Sequence, residues 1–274
     1  SVSLDGGHIH RTVIAALEVA CWDILGKKLG VPIHQLLGGR VRDSVLGYAN
    51  GWYRTERTPE AFLEAAQVVI ERGFKAMKTR VGPTDPEKMV ERVAAVRDAI
   101  GPDIGLMVDA NQQMSVKQAI RIGRMMEELN LTWFEEPVIC HDHAGEAQIA
   151  AALDTPIASG ETVYTHRGIL QMLQARSADV LMPDLQRMGG PSEFLKAGHL
   201  CEAFHIPCAS HLVPEMSRAL LAALPGGYFL EHMPWFEPIY RERIELDGNG
   251  HAIVPERPGW GFSFDPGAIE RFSE

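Results

Sequence analysis

The sequence has no long apolar run. Nowhere do about 18 uncharged apolar residues follow one another, so no segment reads as a membrane-spanning helix. Cysteine is scarce: Cys21, Cys140, Cys201 and Cys208 show no CxxC spacing, which excludes a disulfide framework or zinc cluster and fits a reducing, cytoplasmic compartment. No basic block is present, and 26 Lys and Arg against 36 Asp and Glu give a formal charge of −10. That balance speaks against a nucleic-acid or anionic-membrane partner. Ser1–Gly7 is polar and does not read as a signal peptide. What is there is the composition of a globular chain: 274 residues, 46% hydrophobic and 23% charged.

The first helix is expected from about Thr12 to Leu29. Val13, Ala16, Leu17, Ala20, Ile24 and Leu25 recur at helical spacing, and Gly30 and Pro32 stop it. Ser1–His10 is too short to be a domain and no initiating Met is present, so the expectation is the later part of a longer polypeptide.

From about Leu46 a pattern repeats: a short β-prone run, a polar turn, an amphipathic stretch. The expected strands are 45–50, 76–80, 105–109, 132–135, 156–160, 180–183, 207–210 and 228–231. Helical stretches are expected at 59–72, 86–100, 116–129, 144–153, 168–175, 192–204 and 216–224. Such alternation predicts a parallel sheet, and eight units of roughly 25–30 residues match an α/β barrel of the TIM type. A doubly wound open sheet competes, but Asn50-Gly51-Trp52 after the first strand is not a Gly-rich phosphate turn. Three regions follow: a joining segment (1–44), a barrel (45–243) and a tail (244–274). The tail is expected to leave the barrel, with a hairpin over 244–254 turning at Asp247-Gly248-Asn249-Gly250.

Chemistry in a parallel barrel gathers at the C-terminal ends of the strands. Asp109, Glu135 and Glu161 are spaced 26 and 26 residues apart, one carboxylate per consecutive strand. Three ionised carboxylates that converge repel one another unless a cation neutralises them, and an all-oxygen donor set with open positions suits Mg²⁺. The competing reading is three strand-end acids paired with Lys or Arg. Glu136, next in sequence to Glu135, points away if the strand continues, and reads as a supporting group. Asp184 and His211, again one unit apart, form a candidate acid–base dyad in which the carboxylate fixes the imidazole tautomer. The other ten histidines read as structural. Glu231 stands at the eighth strand end as a hydrogen-bonding group. Lys78 and Arg80 share one face of the second strand. Lys78 suits a substrate carboxylate; Arg80, effectively always protonated, suits gripping an anion rather than accepting a proton. For both, the alternative is a salt bridge to the nearby acids.

Taken in order, Asp109-Ala110-Asn111, Glu135-Glu136-Pro137, Gly160-Glu161 and Ser210-His211, together with Ala15–Lys27 and Leu36-Leu37-Gly38-Gly39, resemble the mandelate racemase group of the enolase superfamily. The resemblance implies a (β/α)₇β barrel with the N-terminal α+β cap domain largely missing from this chain, and a tail that packs on that cap. It implies Mg²⁺ on Asp109, Glu135 and Glu161, the His211–Asp184 dyad, and Glu231 as hydrogen-bond donor to the substrate carboxylate; Arg80, by its fixed charge, and Asn111, two residues after Asp109, stand as substrate-binding candidates beside them. Superfamily sites pair a lysine or histidine base with Mg²⁺. The muconate-lactonising relatives carry a lysine on strand six, whereas 182–190 here has none.

The departure is Lys78-Thr79-Arg80 where the family usually has Lys-x-Lys, so the face opposite His211 lacks a lysine base. Racemisation needs two proton-transfer groups; elimination of a β-hydroxyl needs one. The expectation is therefore a hydro-lyase, an acid-sugar dehydratase yielding a 2-keto-3-deoxy acid. The alternatives are a racemase or epimerase of a 2-hydroxy acid and a non-catalytic cation-binding barrel. The resemblance also implies a homo-oligomer.

Overall fold

The computed structural model describes residues 7–51 and 59–273. Residues 1–6 and 52–58, including the start of the expected joining segment and Trp52, lie outside the described residues. Eight parallel strands follow one another round a ring: β1 (Ser44–Ala49), β2 (Ala76–Arg80), β3 (Gly105–Asp109), β4 (Trp133–Glu135), β5 (Ile157–Ser159), β6 (Val180–Leu181), β7 (Cys208–Ser210) and β8 (Gly227–His232). The ring closes because β1 pairs with β8, from Leu46↔Phe229 to Ala49↔His232, and with β2 at Ala49↔Met77. Strand order equal to sequence order with both ends joined is a barrel, not a doubly wound sheet.

Helices pack outside. They are α1 (Gly7–Leu29), α2 (Ile33–Leu36), α3 (Pro59–Glu71), α4 (Pro86–Ile100), α5 (Val116–Met126), α6 (His143–Ala152), α7 (Thr165–Ala175), α8 (Leu185–Met188), α9 (Pro191–Ala203), α10 (Pro214–Ala223) and α11 (Pro266–Phe272). Their limits have local causes. Pro86 opens α4 where its missing N–H costs nothing, Met89, Val93, Val96 and Ile100 bury one face, and Gly101 at φ 76° ends it. Ser115 and Gln118 close a capping box at the start of α5.

Inside the barrel Tyr48, Met107, Trp133, Ala158, Val180, Met182, Ala209 and Phe229 form one buried layer. Side chains alternate along a strand, so Lys78, Arg80, Asp109, Glu135, Asp184, His211 and Glu231 share the inward parity of that layer and stand above it, toward the strands' C-terminal ends. Positive φ values gather at the same rim, at Asn111 (48°), Gln112 (65°), Glu136 (39°), Leu212 (50°) and Val213 (46°). Non-glycine residues held there store strain, a mark of functional rims.

The tail does not leave the barrel. The hairpin forms as its turn residues predict, with a bridge at Leu246↔Ala252, and β9 (His251–Ile253) adds antiparallel to β1. Trp260 then reaches α1, its Nε1 donating to the Val19 carbonyl at 2.9 Å. The edge of β1 toward β9 supplied open hydrogen-bonding groups, which β9 satisfies. The outer side of α1 stays exposed at Ile9, Val13, Leu17, Ile24 and Leu29.

Candidate active site

Asp109 and Glu135 are partners across the β3–β4 register, and Glu135 pairs in turn with Ala158 of β5. Glu161 lies three residues beyond Ala158, on the outward parity, so equal sequence spacing does not by itself bring it to the cluster. The turn at Gly160 (φ 115°), a conformation side chains other than hydrogen rarely adopt, redirects the chain and delivers its carboxylate. All three acids are buried.

Protein cations lie among them. Lys78, itself buried, contacts Glu135 Oε1, stands 3.0 Å from Glu231 Oε1 and 3.8 Å from Asp109 Oδ2. The ion-pair reading of Lys78 is thus what the structure shows. Trp133 Nε1 donates to Glu135 Oε2 at 2.9 Å. Arg187 Nη1 donates to Glu161 Oε1 at 3.1 Å and His211 Nε2 lies 3.3 Å from Glu161 Oε2. Burial pushes Asp109 and Glu135 above the usual carboxylate range while Lys78 opposes the rise; repulsion from Glu161 adds to it in both, and from Asp109 in Glu135.

By donor chemistry Asp109, Glu135 and Glu161 fit a hard divalent cation: oxygen only, buried, and each raising its neighbours' cost of ionisation. Among the described residues, however, no three His, Cys, Asp or Glu side chains are already grouped to hold an ion; Lys78 and Arg187 balance their charge.

Asp184 and His211 form a bridge between the ends of β6 and β7, with His211 Nδ1 2.6 Å from Asp184 Oδ2. The other Asp184 oxygen accepts from the Gln186 and Arg187 amides at 2.7 and 2.8 Å, capping α8. Burial alone would lower the His211 pKa; Glu161, Glu231 and Asp184 outweigh it and raise it to about 9.

Glu231 accepts from Asn50 Nδ2 at 2.7 Å and the Leu212 amide at 2.8 Å besides pairing with Lys78. Burial would raise its pKa, yet Lys78 and His211 hold it down to about 2. In this arrangement its oxygens accept, whereas the donor role implied by resemblance requires a proton on it. Arg80 is exposed at the rim, near enough to Asp109 for its charge to be felt. The backbone N–H of Asn111 donates to Asp109 Oδ1 at 2.8 Å. Glu136 is turned by its positive φ and accepts from Gln112 Nε2 at 2.8 Å and Thr162 Oγ1 at 3.1 Å; burial pushes it up to about 7.

Sequence reasoning missed Asn50, Trp133, Gln112 and Arg187. Trp133 carried a usable signal, since it lies two residues before Glu135 and so shares its face. Arg187 had a weaker one, three residues after an acid that caps a helical turn.

Residues 61–268 match the family described as enolase C-terminal domain-like, and residues 5–38 match the mandelate racemase / muconate lactonizing enzyme N-terminal domain. The chain belongs to the enolase superfamily. Among its relatives is the L-talarate/galactarate dehydratase of Salmonella typhimurium, 38% identical over 250 residues, which cover 91% of this chain and 62% of that protein. An N-succinyl-L-Arg/Lys racemase of Bacillus cereus is 30% identical over 274 residues, covering 96% of this chain and 72% of the racemase. The crystal structure of an L-talarate dehydratase from Polaromonas sp. JS666, complexed with Mg and L-glucarate, superposes with a TM-score of 0.90 at 38% identity, covering 95% of this chain and 72% of that one. This chain thus spans a little under two thirds of the Salmonella dehydratase. Of the N-terminal domain only the match over 5–38 falls within it. Among the described residues no helix is long and apolar enough to cross a membrane.

Proposed function

We propose that this barrel is the catalytic part of a Mg²⁺-dependent acid-sugar dehydratase. The observation that carries the reading is the hydrogen-bonded His211–Asp184 pair, with the other imidazole nitrogen, Nε2, turned to the carboxylate cluster and no lysine base at position 80. The relatives named as dehydratases and the Mg-bound structure of one of them support it.

Asp109, Glu135 and Glu161 would hold the cation, which when bound supplies Lewis-acid stabilisation of charge developing on a substrate carboxylate. Lys78 offers a second positive charge to that carboxylate. His211 in its neutral form takes the α-proton on Nε2 while Asp184 fixes Nδ1–H. The C3–O bond then breaks, the same imidazolium protonates the departing hydroxyl, and water leaves. The resulting enol tautomerises to a 2-keto-3-deoxy acid. Attraction from Glu161 and Glu231 favours the imidazolium, so a cation held by Glu161 would oppose that rise and favour the neutral imidazole. Arg80, at the rim, grips the anionic substrate, and Asn111 lies beside the same opening. Glu231 orients Lys78 and, through the Leu212 amide, the His211 turn.

The test is incubation with Mg²⁺ and a panel of aldonates and aldarates, with 2-keto acid trapped as the semicarbazone. Keto-acid formation that EDTA abolishes is expected. Formation of an epimer without keto acid would instead establish the racemase chemistry, and no turnover with Mg²⁺ bound would leave a cation-binding barrel.

A further inference from the structure

The two oxygens of Glu135 are held by very different groups. Oε1 meets Lys78, a buried ammonium shared with Glu231 and Asp109. Oε2 accepts from the indole of Trp133 at 2.9 Å, and that indole is fully buried. Tyr48 meets it edge-on, with centroids 5.3 Å apart and planes at 89°, and Phe229 does the same at 5.4 Å and 78°. Both partners are themselves edge-to-face, at 6.0 Å. Three aromatic rings thus lock one another in the layer beneath the site, a geometry their quadrupoles favour. The N–H direction is fixed by packing rather than by the carboxylate.

We propose that Trp133 is a positioning residue that confines Glu135 to offering one oxygen, and so biases the site toward a small octahedral cation. The inference rests on the proposed Mg²⁺ site and concerns how that site chooses its ion. Mg²⁺ demands near-ideal octahedral geometry and takes carboxylates sparingly, whereas Ca²⁺ accepts six to eight oxygens, readily two from one carboxylate. An oxygen already engaged by a charge-assisted N–H bond is a poorer second donor. Groups that hydrogen-bond a ligating carboxylate typically change metal affinity by about 10–100-fold when removed.

Trp133→Phe retains an aromatic ring and deletes the N–H. Phe229→Leu retains the N–H and loosens the rings that aim it. Calorimetric titrations of the protein and both variants with MgCl₂ and with CaCl₂ give the ratio of the two dissociation constants. Thermal melts in EDTA report folding separately. The expected result is a shift of that ratio toward Ca²⁺ by about tenfold in Trp133→Phe, and a smaller shift in the same direction in Phe229→Leu. A merely structural role would weaken both ions alike. A ratio unchanged in both variants, with Mg²⁺ still bound, overturns this inference alone. Absence of Mg²⁺ binding by the folded parent protein overturns the proposed function and this inference with it.

Discussion

His211 and Asp184 face each other at 2.6 Å from the ends of neighbouring strands, and the same Asp184 carboxylate caps the helical turn that carries Arg187. One acid therefore orients the imidazole, while the turn it starts brings a guanidinium to Glu161. The proposed base and one proposed cation ligand are mechanically linked through Asp184.

Replacing His211 with Asn is expected to abolish turnover. Asp184→Asn keeps a hydrogen bond but no longer favours the tautomer with a proton on Nδ1, and should lower kcat at least about 10²-fold. Steady-state kinetics on the responsive acid sugar check both, and substantial activity in His211→Asn would remove the histidine from the mechanism.

Lys78 ties together buried acids, so Lys78→Met leaves them uncompensated. Loss of one partner of a buried ion pair costs about 3–5 kcal/mol. The variant should melt well below the parent in EDTA, and Mg²⁺ should recover more of its stability than it adds to the parent. Equal Mg²⁺-induced shifts in both proteins would contradict a shared task for ammonium and cation.

Most of the barrel was legible in the sequence because its periods are clean. The limits of β2, β3 and α4 match residue for residue, since each apolar run ends at a charged or glycine position. The four-residue α8 was not foreseen; it exists because Asp184 caps it, a tertiary role with no period of its own. The acids were found by spacing, yet Glu161 reaches the cluster through a glycine turn that spacing alone does not show. Lys78, read as suiting a substrate carboxylate or else pairing with nearby acids, lies within the cluster itself. Asn50 and Arg187 escaped because their partners, Glu231 and Glu161, are 181 and 26 residues away.

Glu146 of α6 is buried away from the dyad, and one of its oxygens has no hydrogen-bond partner among the described residues. Burial pushes its pKa up to about 7, only partly offset by Ser159 and Ser177. The folded protein therefore keeps a proton that the unfolded chain releases above about pH 4.5, and stability contributed by this group falls as pH rises from there through 7. Glu146→Gln should remove that fall, adding up to about 3 kcal/mol at pH 8 relative to the parent and little at pH 4. Denaturant titrations at both pH values measure the difference; an equal effect at each would contradict it.

Arg80 stands exposed at the rim, with Asp109 its partner in the β2–β3 register. Arg80→Ala should raise KM for a dicarboxylate about 10–100-fold, as expected for loss of a charged hydrogen bond. Its effect on kcat should be much smaller. A large fall in kcat with KM unchanged would instead give Arg80 a part in the chemical step.

The proton itself gives the most direct test. The intact protein is incubated with Mg²⁺ and the acid-sugar panel in D₂O and followed by proton NMR. For at least one acid sugar the α-proton signal should vanish as a 2-keto acid carrying one deuterium at C3 appears, and EDTA or His211→Asn should stop both changes. Retention of every α-proton across the panel by folded, Mg²⁺-bound protein would contradict the account.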